Sequence, residues 1–451
     1  MGGRSVINQH GRSKDAGGNV GSAGPDVRTP AAVVSGRPPI VAVLAAFAAM
    51  TVVVTGVVTL SSQSVIRTMP VLTGPAWLDA WFQMDSGWYY LIATDGYFYN
   101  PGQQSSIAFF PTYPMAVRGL GSIIGDDQIA GSLIGVLAGL ATALLFAIWV
   151  WRRLPRAGAV TAIAVLLLYP YAFYLYGAMY GESLFILTAI GSFMLLERRH
   201  YWLAGLVGAL ACAGRPVGVA VAVGLVVRML EMRADTRLAA GASHSARASD
   251  AGESAEPMVL GASGNVPDPH RARFGDLVRA VPAVRWREAG VLVSGLGLVA
   301  WCVYLWTEFG NPLAFVDVQQ APGWDQGSGP KTWLKFTYLT TLLHGPADVA
   351  VRITAQAVMC LFAVLLLRRV WRRFGWGYAA YSVMVLAIPL LGTKDFMGTG
   401  RYVLVAFPVV AAAGDFLATH APKWLRVGVL AVLAAGLMVA TVFYARGVEV
   451  S

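Results

Sequence analysis

The chain has 451 residues, 56% of them hydrophobic and 13% charged, with a mean hydropathy of +0.59. A soluble domain carries about 25% charged residues, so a soluble globular fold is excluded, and the lack of short alternating segments excludes a β-barrel. The net charge of +10 sits on Arg and Lys beside apolar runs, which indicates membrane orientation rather than a nucleic-acid partner.

The expected class is an all-α polytopic membrane protein. Residues 1–38 are rich in Gly, Ser, Arg and Pro without helical period, and read as a disordered tail. Arg4, Arg12, Lys14, Arg28 and Arg37 keep that tail in the cytoplasm. The apolar run 40–60 is too long and too late for a signal peptide and is the first retained span, opening an N-terminal membrane part over 39–228.

Residues 61–127 form a first outer loop. Between 61 and 106 it holds one basic residue, Arg67, and it contains "WFQMDSGWYYLIATDGYFYNPG" (81–102). Asp85 lies between Met84 and Trp88, with Tyr89 and Tyr90 following. A carboxylate among rings has its pKa raised by desolvation or is held charged by a cation, and either suits a general base. An acid on a solvated loop inside a Trp/Tyr belt fits Asp85 equally well on this stretch alone. Asp95 in "DGYFYNPG" reads as turn chemistry. "AFFPTYP" (108–114) is a stiff aromatic shelf, and 107–124 lies at the interface.

The run 128–150 returns to "WRRLPR" (151–156), 157–176 goes out, and 183–196 returns to "ERRH" (197–200). Glu182 in "YGES" is an acid at the mouth of an apolar helix and needs a partner. The run 201–228 is broken by "GRP" at 214–216, which makes two half-spans and brings Arg215 to the outer side. Arg215 either pairs with Glu182 or grips a phosphate through two parallel hydrogen bonds. Residues 229–287 are polar, Arg-rich and without an apolar span, a partly disordered cytoplasmic loop.

The C-terminal membrane part covers 288–451. The run 289–307 goes out and leads into "FGNPLAFVDVQQAPGWDQ" (309–326), where Asn311 belongs to the turn and is expected at the cavity with Gln319, Gln320 and Trp324, which suit hydrogen bonding to and stacking on a sugar. The runs 346–368 and 375–392 flank "RRVWRRF", and "GTKDFMGTGR" (392–401) follows. Lys394 and Arg401 bracket a glycine-containing loop, either an anion site or two cations snorkelling to headgroups. The runs 402–418 and 425–444 complete about eleven crossings at bilayer length. Cys212, Cys302 and Cys360 are far apart in apolar stretches, with no metal or disulfide spacing. No residue cluster demands a metal, although one or two outer acids could hold a divalent ion.

On this topology "MDSGWYY", "YGES", "GRP", "FGNPLAF" and "GTKDFMGTGR" all fall on the outer face, which points to one cavity there. In order, these stretches resemble the PIG-V family of mannosyltransferases, in particular its actinobacterial branch. The resemblance rests on Asp85, Trp88, Tyr89, Ile92, Ala93, Gly96 and Tyr97, on Ala108–Pro111 with Tyr113 and Pro114, and on Met179–Phe185. It continues through Arg215–Gly218, Gly310–Phe315 and Gly400–Tyr402 to Phe407 and Pro408. The chain departs from the family at Met84, Gly181 and Gly400.

The resemblance implies a GT-C fold with an extracytoplasmic active site and a polyprenyl-phosphate-mannose donor. It also implies an inverting transfer with Asp85 as base, Glu182 as a cavity residue, and Arg215 and Arg401 as phosphate binders. A bacterial composition of high-GC type makes the acceptor a lipid-linked glycan, a phosphatidylinositol mannoside or a protein in the plasma-membrane envelope. The alternative reading is a transporter or flippase of lipid-linked sugars, for which the broken "GRP" hairpin and the intramembrane charges speak.

Overall fold

A computed structural model describes residues 36–62, 72, 74, 75, 77–250 and 272–450, with the backbone alone for 242–250. The expected tail, apart from 36–38, and the middle of the expected 229–287 loop lie outside the described residues. Every regular element among the described residues is helical.

The first half contains α1 (Ile40–Ser62), α2 (Ser86–Thr94), α3 (Thr112–Ile124), α4 (Asp127–Trp151), α5 (Arg156–Leu168), α6 (Glu182–Glu197), α7 (Tyr201–Cys212) and α8 (Val219–Asp250). The second contains α9 (Phe274–Ala280), α10 (Trp286–Ala289), α11 (Leu296–Phe309), α12 (Ala314–Asp317), α13 (Pro330–Trp333) and α14 (Phe336–His344). It closes with α15 (Ala347–Phe374), α16 (Trp376–Gly392), α17 (Thr399–Val405), α18 (Phe407–His420) and α19 (Lys423–Ala445).

Among the described residues, five helices are long and apolar enough to cross a membrane: α1, α4, the 286–309 stretch, α15 and α19. A sixth span is formed if α17 and α18 count as one, and α5, α7 and α16 are shorter apolar helices. The protein is an all-α polytopic membrane protein. Each of the apolar runs read from the sequence contains a helix, but their ends differ from expectation in three places. The run 157–176 stops being α-helical at Leu168, ahead of Pro170, whose ring restricts the residue before it, and continues as a short 3-10 turn over Ala172–Leu175. The run 402–418 is broken by an 80° bend between α17 and α18. Pro408, in the first turn of α18, has no N–H to carry a continuous helix. In the other direction, α8 continues through Asp250 into the segment assigned to a loop.

Helix ends follow local chemistry. The Asp126 side chain accepts the Ile129 N–H at 2.7 Å and starts α4. Gly310 ends α11 in the left-handed region at φ 73°, as the "GNP" turn requires.

One packing feature places the site. Gly131, Gly135 and Gly139 recur every fourth residue on α4, and the segment 175–179 lies directly on that stripe. A Cβ on Gly135 would come 2.8 Å from the Ala178 carbonyl oxygen, and one on Gly139 would overlap the Leu175 carbonyl. Small residues are what allow backbones to pack this closely inside a membrane. The stripe therefore fixes the segment that delivers Tyr180 and Glu182.

Candidate active site

Four charged side chains from four distant parts of the chain meet where α2, α6 and α17 begin and where "GRP" turns. Asp85 immediately precedes α2. Its carboxylate does not cap that helix but lies 3.2 Å from Arg401 Nη1. The same Arg401 nitrogen is 3.7 Å from Glu182 Oε1, and the Arg215 guanidinium ion-pairs with that oxygen. Tyr402 lies beneath both cations, with Arg215 5.3 Å and Arg401 5.6 Å from its ring centre. Two acids and two bases balance, which permits their burial.

The four are unequally exposed. The Glu182 side chain is wholly buried, that of Arg215 is 6% exposed, and that of Asp85 is 25% exposed. Asp85 is thus the acid that a substrate can reach. Burial pushes its carboxyl above the ordinary carboxylate value, while the Arg401 cation and its hydrogen bond pull in the opposite direction.

The Asp85 turn is fixed by its neighbours. Met84 adopts φ 50°, a left-handed conformation that costs a side-chain-bearing residue about 1–2 kcal/mol. The Asp85 N–H donates to the Tyr180 hydroxyl at 2.9 Å, and that hydroxyl donates to the Gln83 carbonyl at 3.4 Å. The Tyr444 hydroxyl donates to the Trp81 carbonyl at 2.6 Å and lies 3.4 Å from Ser86 Oγ. Arg118 of α3 donates to the carbonyls of Ala93 and Thr94 and so closes the C-terminal end of α2.

Arg401 is anchored through Gly400. The Gly400 N–H donates to Gln356 Oε1 at 3.1 Å, and its carbonyl accepts the Tyr169 hydroxyl at 2.9 Å. The Gln356 amide and the Tyr171 hydroxyl both donate to the Val450 carbonyl, at 3.4 and 2.8 Å. A proline at 400 would leave Gln356 Oε1 without this donor.

The remaining expected residues divide into two groups. Trp88 is brought to Trp324, with ring centres 5.5 Å apart, and stacks on Phe109 at 5.8 Å. Tyr89 is buried edge-on against Phe109, Tyr113 and Tyr180. These rings form an aromatic wall beside Asp85. Lys394 stands apart from the four charges and pairs with Asp325 at 3.4 Å, both side chains partly exposed. Asn311 donates to Asp317 Oδ2 at 2.7 Å and accepts the Leu313 N–H at 3.0 Å, which holds the turn. Gln319 is half-buried and Gln320 exposed, and the Gln319 carbonyl accepts the Gln326 N–H at 3.0 Å.

Sequence reasoning named Tyr180 and Tyr402 within motifs but gave them no role, and it missed Tyr444, Gln356 and Arg118. Of these three, Arg118, a cation on an apolar helix, carried a signal. Tyr444 and Gln356 are uncharged residues in apolar surroundings, and nothing in their spacing marks them.

The site keeps unspent polar capacity. Among the described residues, Glu182 Oε1 and Oε2, Arg215 Nη1 and Arg401 Nε are buried without a well-aligned hydrogen bond. Such groups are costly unless something satisfies them. No three residues among His, Cys, Asp and Glu come together as a metal set among the described residues.

No family model and no curated protein sequence matches the chain. Among solved structures it is similar to the oligosaccharyltransferase of Archaeoglobus fulgidus in its apo form. The identity is 12% and the TM-score 0.42, and the match covers 90% of this chain and 56% of that one.

Proposed function

We propose that the protein is a GT-C-type membrane glycosyltransferase that moves mannose from a polyprenyl-phosphate-mannose donor to an extracytoplasmic acceptor. The observation that carries this reading is the Asp85–Arg401–Glu182–Arg215 quartet, which pairs an accessible carboxylate with a partly exposed guanidinium group and sets a buried one behind them. The motifs that resemble the PIG-V family are the same ones that supply the quartet. Mannose and the polyprenyl phosphate rest on that resemblance.

In the reaction, Asp85 takes the proton of an acceptor hydroxyl. The oxygen attacks the anomeric carbon in line as the bond from that carbon to the phosphate oxygen breaks, which inverts the centre. The lipid phosphate leaves with the bonding pair, and Arg215 and Arg401 stabilise its charge. Glu182 holds both arginines in place between turnovers. The wall of Trp88, Phe109 and Trp324 offers faces on which a sugar ring stacks. Lys394, Asn311, Gln319 and Gln320 lie outside the quartet, Lys394 paired with Asp325 and Asn311 with Asp317.

The test is transfer of labelled mannose from polyprenyl-phosphate-mannose into lipids of the host by the purified protein in bilayers. Transfer that fails with Asp85→Asn, while the donor still binds, supports the enzyme. Donor that equilibrates across the bilayer without transfer refutes it in favour of a transporter.

A further inference from the structure

Helix α6 carries a carboxylate at each end. Glu182 belongs to the quartet, and Glu197 lies about 22 Å away at 1.5 Å per residue. At the Glu197 end opens a cavity of about 300 Å³, lined by Trp149, Arg152, Arg153, Met194, Glu197 and Arg198. Three cations in that lining face one anion.

The anion is already engaged. Arg153 ion-pairs with Glu197, Arg228 Nη2 reaches it at 3.0 Å, and the Tyr378 hydroxyl donates to it at 3.0 Å. Arg153 is engaged as well: its Nη1 donates to the Trp149 carbonyl at 2.9 Å, and its guanidinium lies 4.8 Å from the Trp149 ring centre. Arg228 in turn shares its charge with Glu231 at 2.9 Å. Arg152 and Arg198 are different. Both are exposed at the cavity, and among the described residues neither side chain has an ion-pair or hydrogen-bond partner. The cavity thus has a floor of ion-paired charges and, on its wall, two guanidinium groups without a partner among the described residues.

We infer that this cavity is a second binding site, one for a phosphate-bearing ligand gripped by Arg152 and Arg198. A guanidinium presents two parallel N–H donors to phosphate oxygens, and two of them match the charge of a phosphate monoester or pyrophosphate. The volume is about ten times the share of one water molecule in the liquid, which suits a phosphorylated headgroup or a small phosphorylated solute. Trp149 and Met194 supply the apolar surface against its uncharged part. The inference uses no part of the reaction proposed at the quartet.

The experiment uses the full chain in nanodiscs of phosphatidylcholine. One arm titrates pyrophosphate and glycerol phosphate by calorimetry. The other replaces part of the lipid with phosphatidylglycerol and counts retained anionic lipids by native mass spectrometry. Arg152→Gln/Arg198→Gln and Arg198→Gln alone are compared with Arg285→Gln/Arg287→Gln, a control pair outside the cavity lining. In the arm that carries the true source, wild type and control bind alike, while the double variant binds about tenfold or more weakly with unchanged melting. Binding in the first arm names a soluble ligand, and binding in the second a lipid headgroup. Equal loss in the control pair, or no binding of either probe by wild type, overturns the inference.

Discussion

Arg401 Nη1 lies 3.2 Å from Asp85 Oδ2 across 316 residues of sequence. This contact ties the loop before α2 to the start of α17 and makes Arg401 the hinge of the quartet, because the same nitrogen also faces Glu182. In the proposed reaction, a donor phosphate arriving beside Arg401 competes with Asp85 for that cation and so frees the proposed base.

Asp85→Asn keeps the shape and removes the proposed base. The expected result is a loss of about 10²–10⁴-fold in kcat, with donor affinity held within a few-fold. Transfer of labelled mannose and donor binding, measured on the same preparation, check this. A variant that retains near-wild-type turnover removes Asp85 from the chemistry.

The pH profile follows from the direction of the Asp85 shift. Burial raises its pKa, and the base works only when deprotonated. The value of kcat/KM therefore rises with pH through a midpoint above the usual aspartate value of about 3.9 and then levels off. Arg401→Gln removes a cation that pulls the value down, so the midpoint moves further up, at lower overall activity. A midpoint at or below the ordinary aspartate value contradicts the assignment.

Glu182 and Arg215 form a buried ion pair, and either alone is costly. Arg215→Gln leaves Glu182 opposed only by Arg401, and Glu182→Gln leaves two guanidinium groups against one acid. Each single variant is expected to lose about 3 kcal/mol of stability, and the double variant clearly less than their sum. Thermal melting of the four proteins in detergent closes this cycle. Additive losses mean that the pair does not interact.

Much of the fold was legible because a membrane helix announces itself as a long apolar run. The residues Asp85, Glu182, Arg215 and Arg401 were legible for the complementary reason that charge beside a bilayer is expensive. What the sequence hid was pairing. Arg215 and Arg401 were read as phosphate binders, and Lys394 with them, but only the first two share the quartet, since Lys394 has its own acid in Asp325. Asn311, expected at the outer face, spends its side chain on its own turn. The 80° bend at Ala406 carried one signal in the sequence, Pro408, which the reading of 402–418 as a single run passed over.

The last prediction concerns Gly400, whose neighbour carries the hinge cation. A Cβ there would drive into the Tyr171 ring. Overpacking of this kind costs about 1–3 kcal/mol, and Gly400→Ala should also slow transfer by shifting Arg401. Two second-site changes separate ring from hydroxyl. Tyr171→Leu makes room and should restore part of both melting temperature and rate to the Gly400→Ala protein. Tyr171→Phe removes only the hydrogen bond to the Val450 carbonyl and should restore neither. If Tyr171→Phe rescues as well as Tyr171→Leu, the hydroxyl rather than the ring governs the position of Arg401, and steric contact is not what demands glycine at this position.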